Sequence, residues 1–196
     1  SLITKFQIVN IVVPPAGKSL YRTSNISEVE KVALNNNILI VKSNKIKNIK
    51  EIIELHKPDA VVISSYNKKI PSSLLSLTKF INVHHGDLPK WRGRANINWA
   101  IINNRKKIGL TIHEVIPEID AGNIYAQYTI RINKEDNVKT VYRKVNKVIK
   151  KDLASVVKKV IDGFEGEKQS GTPTYCCTRL PEDGYIDWNL STKKIH

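Results

Sequence analysis

Apolar positions in this chain fall into short, nearly continuous runs separated by amphipathic stretches. That pattern predicts buried strands alternating with helices. Phe6 to Val13 (FQIVNIVV), Asn37 to Val41 (NILIV), Asp59 to Ser65 (DAVVISS) and Phe80 to Val83 read as four strands covered on both faces. Pro14-Pro15 closes the first, and Ala16 to Asn25 is a polar loop carrying Lys18 and Arg22. Ser27-x-x-Glu30 is a capping-box signature for a helix running to about Asn35. Ile46, Ile49, Ile52 and Ile53 share one helical face, and Pro58 ends that helix. His56 near its C-terminus suits the helix dipole. Pro71 opens a short helix through Leu77.

The second half repeats the alternation. Ile108 to Ile116 and Ile124 to Ile132 are strands joined across an Asp120-Ala121-Gly122 turn. A long helix follows, Val138 to Gly163. Val141, Val145, Val148, Ile149, Leu153, Val156, Val157 and Val160 form its apolar stripe, and its lysines make a solvated opposite face. Gly166 begins a different texture. Thr172 to Arg179 is strand-like, Asp183-Gly184 is a turn, and Ile186 and Trp188 alternate, which together predict a small C-terminal β-hairpin. The expected organisation is one α/β unit over 1–165 and a hairpin subdomain over 166–196. Helices alternating with strands argue for a mostly parallel sheet covered on both sides. Ligands of such sheets sit at the carboxyl ends of the strands, so the loops after Val13, Ser65 and His84 should share one crevice.

The chemistry concentrates between Phe80 and Asp120. Alternate residues of a strand share a face, so Asn82 and His84 project together. An amide can hold a carbonyl oxygen that is gaining negative charge. An imidazole can move a proton near neutral pH. A carboxylate brought alongside favours the charged imidazole. Taken alone, Asn-x-His also fits an ordinary satisfied pair at a strand end. His113 sits mid-strand and reads as structural.

The chain has 196 residues, 41% of them hydrophobic, enough for one domain with a core. No apolar run approaches the roughly 20 residues that span a bilayer, and no secretory signal pattern is present. The two cysteines are adjacent, Cys176-Cys177, so they make neither a disulfide framework nor a metal site, and a reducing, cytoplasmic compartment is the simplest fit. The formal charge is +14, which suits an anionic substrate, a nucleic acid or a membrane surface. Its basic residues are dispersed except between Lys144 and Lys159, at helical spacing, so an anionic small molecule is the better expectation than nucleic acid.

Several pieces together resemble the formyltransferases that use formyl-tetrahydrofolate. These are Asn82-Val83-His84, Leu88-Pro89-Lys90-Trp91-Arg92-Gly93, Ile97-Asn98-Trp99, Gly109-Leu110-Thr111-Ile112-His113 and Asp120-Ala121-Gly122. The resemblance covers roughly residues 6–190. It implies a Rossmann-like α/β fold and a catalytic set of Asn82, His84 and Asp120. It implies 10-formyltetrahydrofolate as co-substrate, held by Tyr66, Asn67, Lys68, Arg94 and the run Ile116, Pro117, Glu118, Ile119, with no metal. Asp87, Lys90, Trp91 and Arg92 are the expected acceptor-binding residues, and Asp87 could hold an ammonium group. His85 and Asp87 depart from the commonest pattern. His-Gly-Asp-Leu-Pro and the element Pro181 to Trp188 look like members that act on nucleotide-linked amino sugars, such as a dTDP-4-amino-4,6-dideoxyhexose. Methionyl-tRNA formyltransferase, glycinamide ribonucleotide formyltransferase and an inactive basic nucleic-acid binder are the alternatives. Relatives begin with a strand, turn and helix that precede Phe6. Their counterparts are missing here apart from Ser1 to Lys5, so the chain reads as a fragment or a rearrangement. Exposed Trp188 and the cysteine pair suggest a homodimer contact.

Overall fold

The computed structural model describes residues 2–15, 28–66 and 68–195. The predicted polar loop with Lys18 and Arg22, Ser27 of the capping box, and Asn67 lie outside the described residues. The order of elements is β1 (Ile11–Val13), α1 (Glu28–Asn35), β2 (Ile40–Lys42), α2 (Ile46–His56), β3 (Ala60–Ser64), α3 (Ser72–Leu75) and β4 (Lys79–His84). Then follow β5 (Arg92–Gly93), α4 (Asn96–Ile102), β6 (Lys107–Glu114), β7 (Ile124–Arg131), α5 (Val138–Ile161), β8 (Tyr175–Cys176) and α6 (Thr192–Ile195). The fold is α/β, as the alternation predicts. The pairs β1/β2, β3/β4 and β5/β8 run parallel, while β6 joins both β4 and β7 antiparallel. The central sheet has the order β3-β4-β6-β7, and β1/β2 stand as a separate pair.

The apolar run Phe6 to Val13 yields only three strand residues. The chain before β1 folds back instead, with the Lys5 and Phe6 amides donating to the Leu2 carbonyl. Phe6 still packs on the main core. Hydrophobicity buries a segment, but a strand lasts only as far as its partner's backbone.

Strand β4 separates two cores. Ile81 and Val83 point into the larger one, with Leu110, Ile112, Val141 and Val145. Phe80 points the other way and packs with Ile49, Ile53, Ile70 and Leu74. Asn82 and His84 share the Phe80 face by the two-residue period of the strand. The helices α2 and α3 cover the Phe80 end of that face, and the polar pair emerges where their cover stops. The register extends the face across the sheet, because Asn82 lies opposite His113 and His84 opposite Thr111.

That register explains Gly109, Thr111 and His113 as one device. A Cβ on Gly109 would stand 2.5 Å from the Asp87 Cα, so only glycine lets the loop after His84 lie on the sheet. The Thr111 hydroxyl donates to the Gly86 carbonyl at 2.7 Å. Gln127, opposite Thr111 on β7, donates to that hydroxyl at 3.0 Å and to the Leu88 carbonyl at 2.9 Å. The loop carrying His85 to Leu88 is thereby pinned to strands on its far side.

The long helix α5 forms where its stripe predicts. Its start is fixed by Asn137, whose side chain accepts the Thr140 amide while Thr140 reciprocates. The C-terminal segment corrects the sequence reading. No hairpin forms among the described residues. Tyr175–Cys176 instead runs parallel to Arg92–Gly93, and Pro181–Gly184 is a single 3-10 turn. A two-strand hairpin has little apolar surface to bury by itself, and the backbone of Arg92 to Arg94 offers this strand a partner. Tyr185 and Trp188 stay exposed.

Gly109→Ala tests the pinned loop. The substitution is expected to cost about 1–3 kcal/mol in urea unfolding, because backbone must move. Gly184→Ala, whose added Cβ meets nothing closer than 3.9 Å, should stay within about 0.5 kcal/mol. Equal effects at the two sites would show that the loop does not rest on β6.

Candidate active site

A crevice of about 650 Å³ opens at the carboxyl ends of β3 and β4, within the size range of small-molecule sites. Tyr66 and Lys68 line it after β3, and Asn82, His84 and His85 at the end of β4. Arg94, Ile116, Pro117, Glu118, Ile119 and Asp120 line the opposite wall. Tyr142 of α5 and the Cys176-Cys177 pair complete it.

Asp120 is the hub. Its backbone is left-handed, with φ 50°, which turns the side chain back over the sheet. Gly122 must follow at the close approach, since a Cβ there would stand 2.2 Å from the Glu114 carbonyl oxygen. One carboxylate oxygen, Oδ2, accepts the Gly93 amide at 2.8 Å and faces His84 Nδ1 at 3.5 Å. The other, Oδ1, faces His113 Nε2 and Asn82 Nδ2, each at 3.5 Å. Burial raises the Asp120 pKa, but His113, His84 and the Gly93 amide outweigh it and hold the carboxyl below its ordinary value. Asp120 is therefore ionised at neutral pH.

The two imidazoles are oriented by backbone carbonyls. His84 Nε2 lies 2.7 Å from the Trp91 carbonyl oxygen. His113 Nδ1 lies 2.6 Å from the Glu114 carbonyl oxygen. A carbonyl can only accept, so those nitrogens carry the protons. His84 Nδ1 and His113 Nε2 are left facing Asp120. Asn82 Nδ2 donates to His113 Nε2 at 3.1 Å, which fixes the amide that sequence reasoning singled out. Burial is the largest influence on His84 and lowers its pKa, against the opposing pull of Asp120 and the Trp91 carbonyl. The expectation of a charged imidazole is thus reversed, because loss of water outweighs the carboxylate.

The structure brings Asn82, His84 and Asp120 together, the first two as strand geometry predicts and Asp120 as the family resemblance implies. Tyr66, Lys68, Arg94 and Ile116 to Ile119 reach the same crevice. Asp87, Lys90, Trp91 and Arg92 do not line it. Asp87 lies over Gly109, and its side chain is exposed. Lys90 is exposed on the following turn. Trp91 contributes its carbonyl to His84, while Arg105 sits over its ring at 5.6 Å. Arg92 is a clamp. Its guanidinium donates to Gln169 Oε1 at 2.8 Å, and Gln169 Nε2 donates to the Asp120 and Gly122 carbonyls at 2.8 Å each. These four were read as acceptor-binding because they adjoin the motif, but the turn after β4 carries their side chains away from the crevice. His113 is the residue the sequence reading missed. Its signal was the alternation with Thr111 and Gly109, which needed the β4/β6 register to interpret.

Residues 5–157 match the protein family described as Formyl transferase. A methionyl-tRNA formyltransferase from Staphylococcus epidermidis is 32% identical over 206 residues, covering 100% of this chain and 65% of that relative. The chain thus spans under two thirds of that protein's length. Among solved structures, HypX from Aquifex aeolicus in complex with tetrahydrofolic acid superposes with a TM-score of 0.70 at 21% identity, over 94% of this chain and 32% of that one. A candidate sugar N-formyltransferase from Mycobacterium tuberculosis gives 0.67 at 18%, over 94% and 82%.

His85 supplies a prediction about stability. Burial, and then the neighbouring His84, lower its pKa to about 4 from 6.5, and its ring stands edge-on to Tyr142 at 5.3 Å. The folded state binds fewer protons than the unfolded state between these values. Stability present above pH 6.5 is therefore lost as pH falls toward 4, by up to about 3 kcal/mol from this group. Urea unfolding of His85→Gln should show a correspondingly shallower acid slope. An unchanged slope would place the titration elsewhere.

Proposed function

The chain belongs to the formyl transferase family, and we propose from this that it moves a formyl group from 10-formyltetrahydrofolate to an amine held beside His84. The observation that carries the reading is the convergence of an amide, two imidazoles and an ionised carboxylate at the mouth of the crevice. The bound folate supplies an activated formyl carbon. The residues suited to hold it are Tyr66, Lys68, Arg94 and the run Ile116 to Ile119. The fit rests on Tyr66, whose buried hydroxyl has no hydrogen-bond partner among the described residues, and on the crevice's mixture of apolar wall and cations.

The side chains divide the work. Asn82 gives one amide N–H to His113, and its second, held only weakly by Asp120 Oδ1 at 3.5 Å, can turn to the oxygen on which negative charge grows. The attacking nitrogen must lose a proton. His84, neutral near pH 7, receives it at Nδ1, and the Asp120 carboxylate 3.5 Å away stabilises the imidazolium that results. The imidazolium can return the proton to the folate nitrogen that leaves as its bond to the formyl carbon breaks. Preorganisation is the main contribution, since backbone carbonyls hold both imidazoles and His113 holds the Asn82 amide before substrate arrives.

The acceptor is an amine attached to a nucleotide, and two sources fit. An aminoacyl-tRNA terminus is supported by the 32% identical relative and by the formal charge of +14. A nucleotide-linked amino sugar is supported by the Pro181 to Trp188 element and by the fold shared with the mycobacterial protein. The folate cofactor assignment is supported by the fold shared with HypX.

The test is formyl transfer from 10-formyltetrahydrofolate to methionyl-tRNA and to a panel of nucleotide amino sugars, with product identified by mass. His84→Ala should lower turnover by about 10²–10⁴-fold and Asn82→Ala by about 10²–10³-fold, with the fold retained by circular dichroism. The acid limb of kcat/KM should lie below pH 6.5, because His84 must be neutral to accept the proton and its pKa is lowered. Near-normal turnover of His84→Ala, or transfer to none of the acceptors, would refute the reading.

A further inference from the structure

Asp120, His84 and His113 form more than a proton relay. Their nearest donor atoms, one from each residue, all lie within 4.8 Å of one another. Each facing nitrogen stands 3.5 Å from a carboxylate oxygen, close to the edge of about 3.4 Å that bonds of about 2.0–2.2 Å give a tetrahedral zinc site. Metal-bound histidines donate their remote N–H to a carbonyl or carboxylate, which fixes the ring and its tautomer. Both histidines here already do so, through Trp91 and Glu114 respectively. Two ring nitrogens and an ionised carboxylate thus lie together at the crevice wall. The side chains of the histidines are almost inaccessible and that of Asp120 is 13% exposed. All three residues line the crevice.

We propose that His84 Nδ1, His113 Nε2 and the Asp120 carboxylate bind a borderline-soft divalent cation, of which Zn²⁺ is the best match. The choice of ion follows from the donors, since two imidazoles and one carboxylate suit zinc and cobalt better than magnesium or calcium. Binding displaces the hydrogen bond from Asn82 Nδ2 to His113 Nε2 and leaves open coordination positions for water. It also consumes His84 Nδ1, so the cation and proton transfer exclude one another. The metal is an inhibitor of the site, not a participant in transfer. Cation binding stands on geometry alone, whereas the inhibition rests on the proposed transferase reading.

Titration of the whole chain with Co²⁺ tests this. The expected result is one equivalent giving visible bands of a four- or five-coordinate ion, bleached by Zn²⁺. In the wild-type protein, Zn²⁺ should shift the ring signals of His84 and His113 and spare those of His56. Asp120→Asn and His113→Gln should each weaken binding at least about tenfold, while Cys176→Ser/Cys177→Ser leaves it unchanged. Formyl transfer should fall with the same Zn²⁺ dependence and return on chelation. No spectral change at millimolar Co²⁺ overturns the proposal. So does binding that survives Asp120→Asn but disappears with the cysteine pair. A protein that binds cobalt with the expected residue dependence yet transfers no formyl group would uphold the cation site and reject the transferase reading.

Discussion

One buried carboxylate governs the geometry of this molecule. Asp120 is drawn from water into contact with groups from β4, β6 and the turn at Gly93. Removing an ion from water is expensive, and it is tolerated only when hydrogen bonds and opposite charge replace the solvent. The Gly93 amide, with the Asn82 amide beside it, provides the hydrogen-bonding part of that replacement. The imidazoles add opposite charge when they take up a proton, which lowers the pKa of Asp120 despite its burial. Each of those partners is then oriented by the carboxylate in return. The arrangement is preorganised because the carbonyls of Trp91 and Glu114 hold the rings from behind.

The parts of the chain that seem peripheral serve this centre. Gly109 makes room for the loop beside His84, and Thr111 and Gln127 tie that loop down. Arg92 never touches the crevice, yet it holds Gln169, which grips the backbone on both sides of Ala121. The segment after residue 165 is joined to the same unit, since Glu167 also exchanges backbone hydrogen bonds with Ile124. Its short strand at Tyr175–Cys176 then props Arg92 and Gly93 from below, with the Arg94 amide donating to the Cys176 carbonyl. A chain of neutral and charged hydrogen bonds thus connects residues 77 positions apart, Arg92 and Gln169, and ends at the backbone carbonyl of Asp120.

Much of this was legible before any coordinates. Continuous apolar runs located β3 and β4, period-two runs β6 and β7, and the helical stripe α5, because burial determines those patterns. The shared face of Asn82 and His84 followed from strand geometry. What the sequence could not carry was pairing. The antiparallel register of β6 puts His113 opposite Asn82, and that register is set by contacts about thirty residues apart. For the same reason Tyr175–Cys176 was assigned to a hairpin with its neighbours when its partner lay at Arg92–Gly93. The lowered pKa of His84 could not be read from the motif, because a neighbouring carboxylate is visible there and desolvation is not. Asp87, Lys90, Trp91 and Arg92 adjoin the site in sequence, but a tight turn sends their side chains elsewhere.

The central claim is that Asp120 faces a bare nitrogen of His84 while the ring's proton goes to the Trp91 carbonyl. Long-range ¹H–¹⁵N correlation of the imidazoles reads this directly, with His84 assigned among the 5 histidines of the chain. At neutral pH the account predicts a neutral ring protonated on Nε2, with Nδ1 unprotonated. A ring carrying its proton on Nδ1, or one still doubly protonated above pH 7, would contradict it.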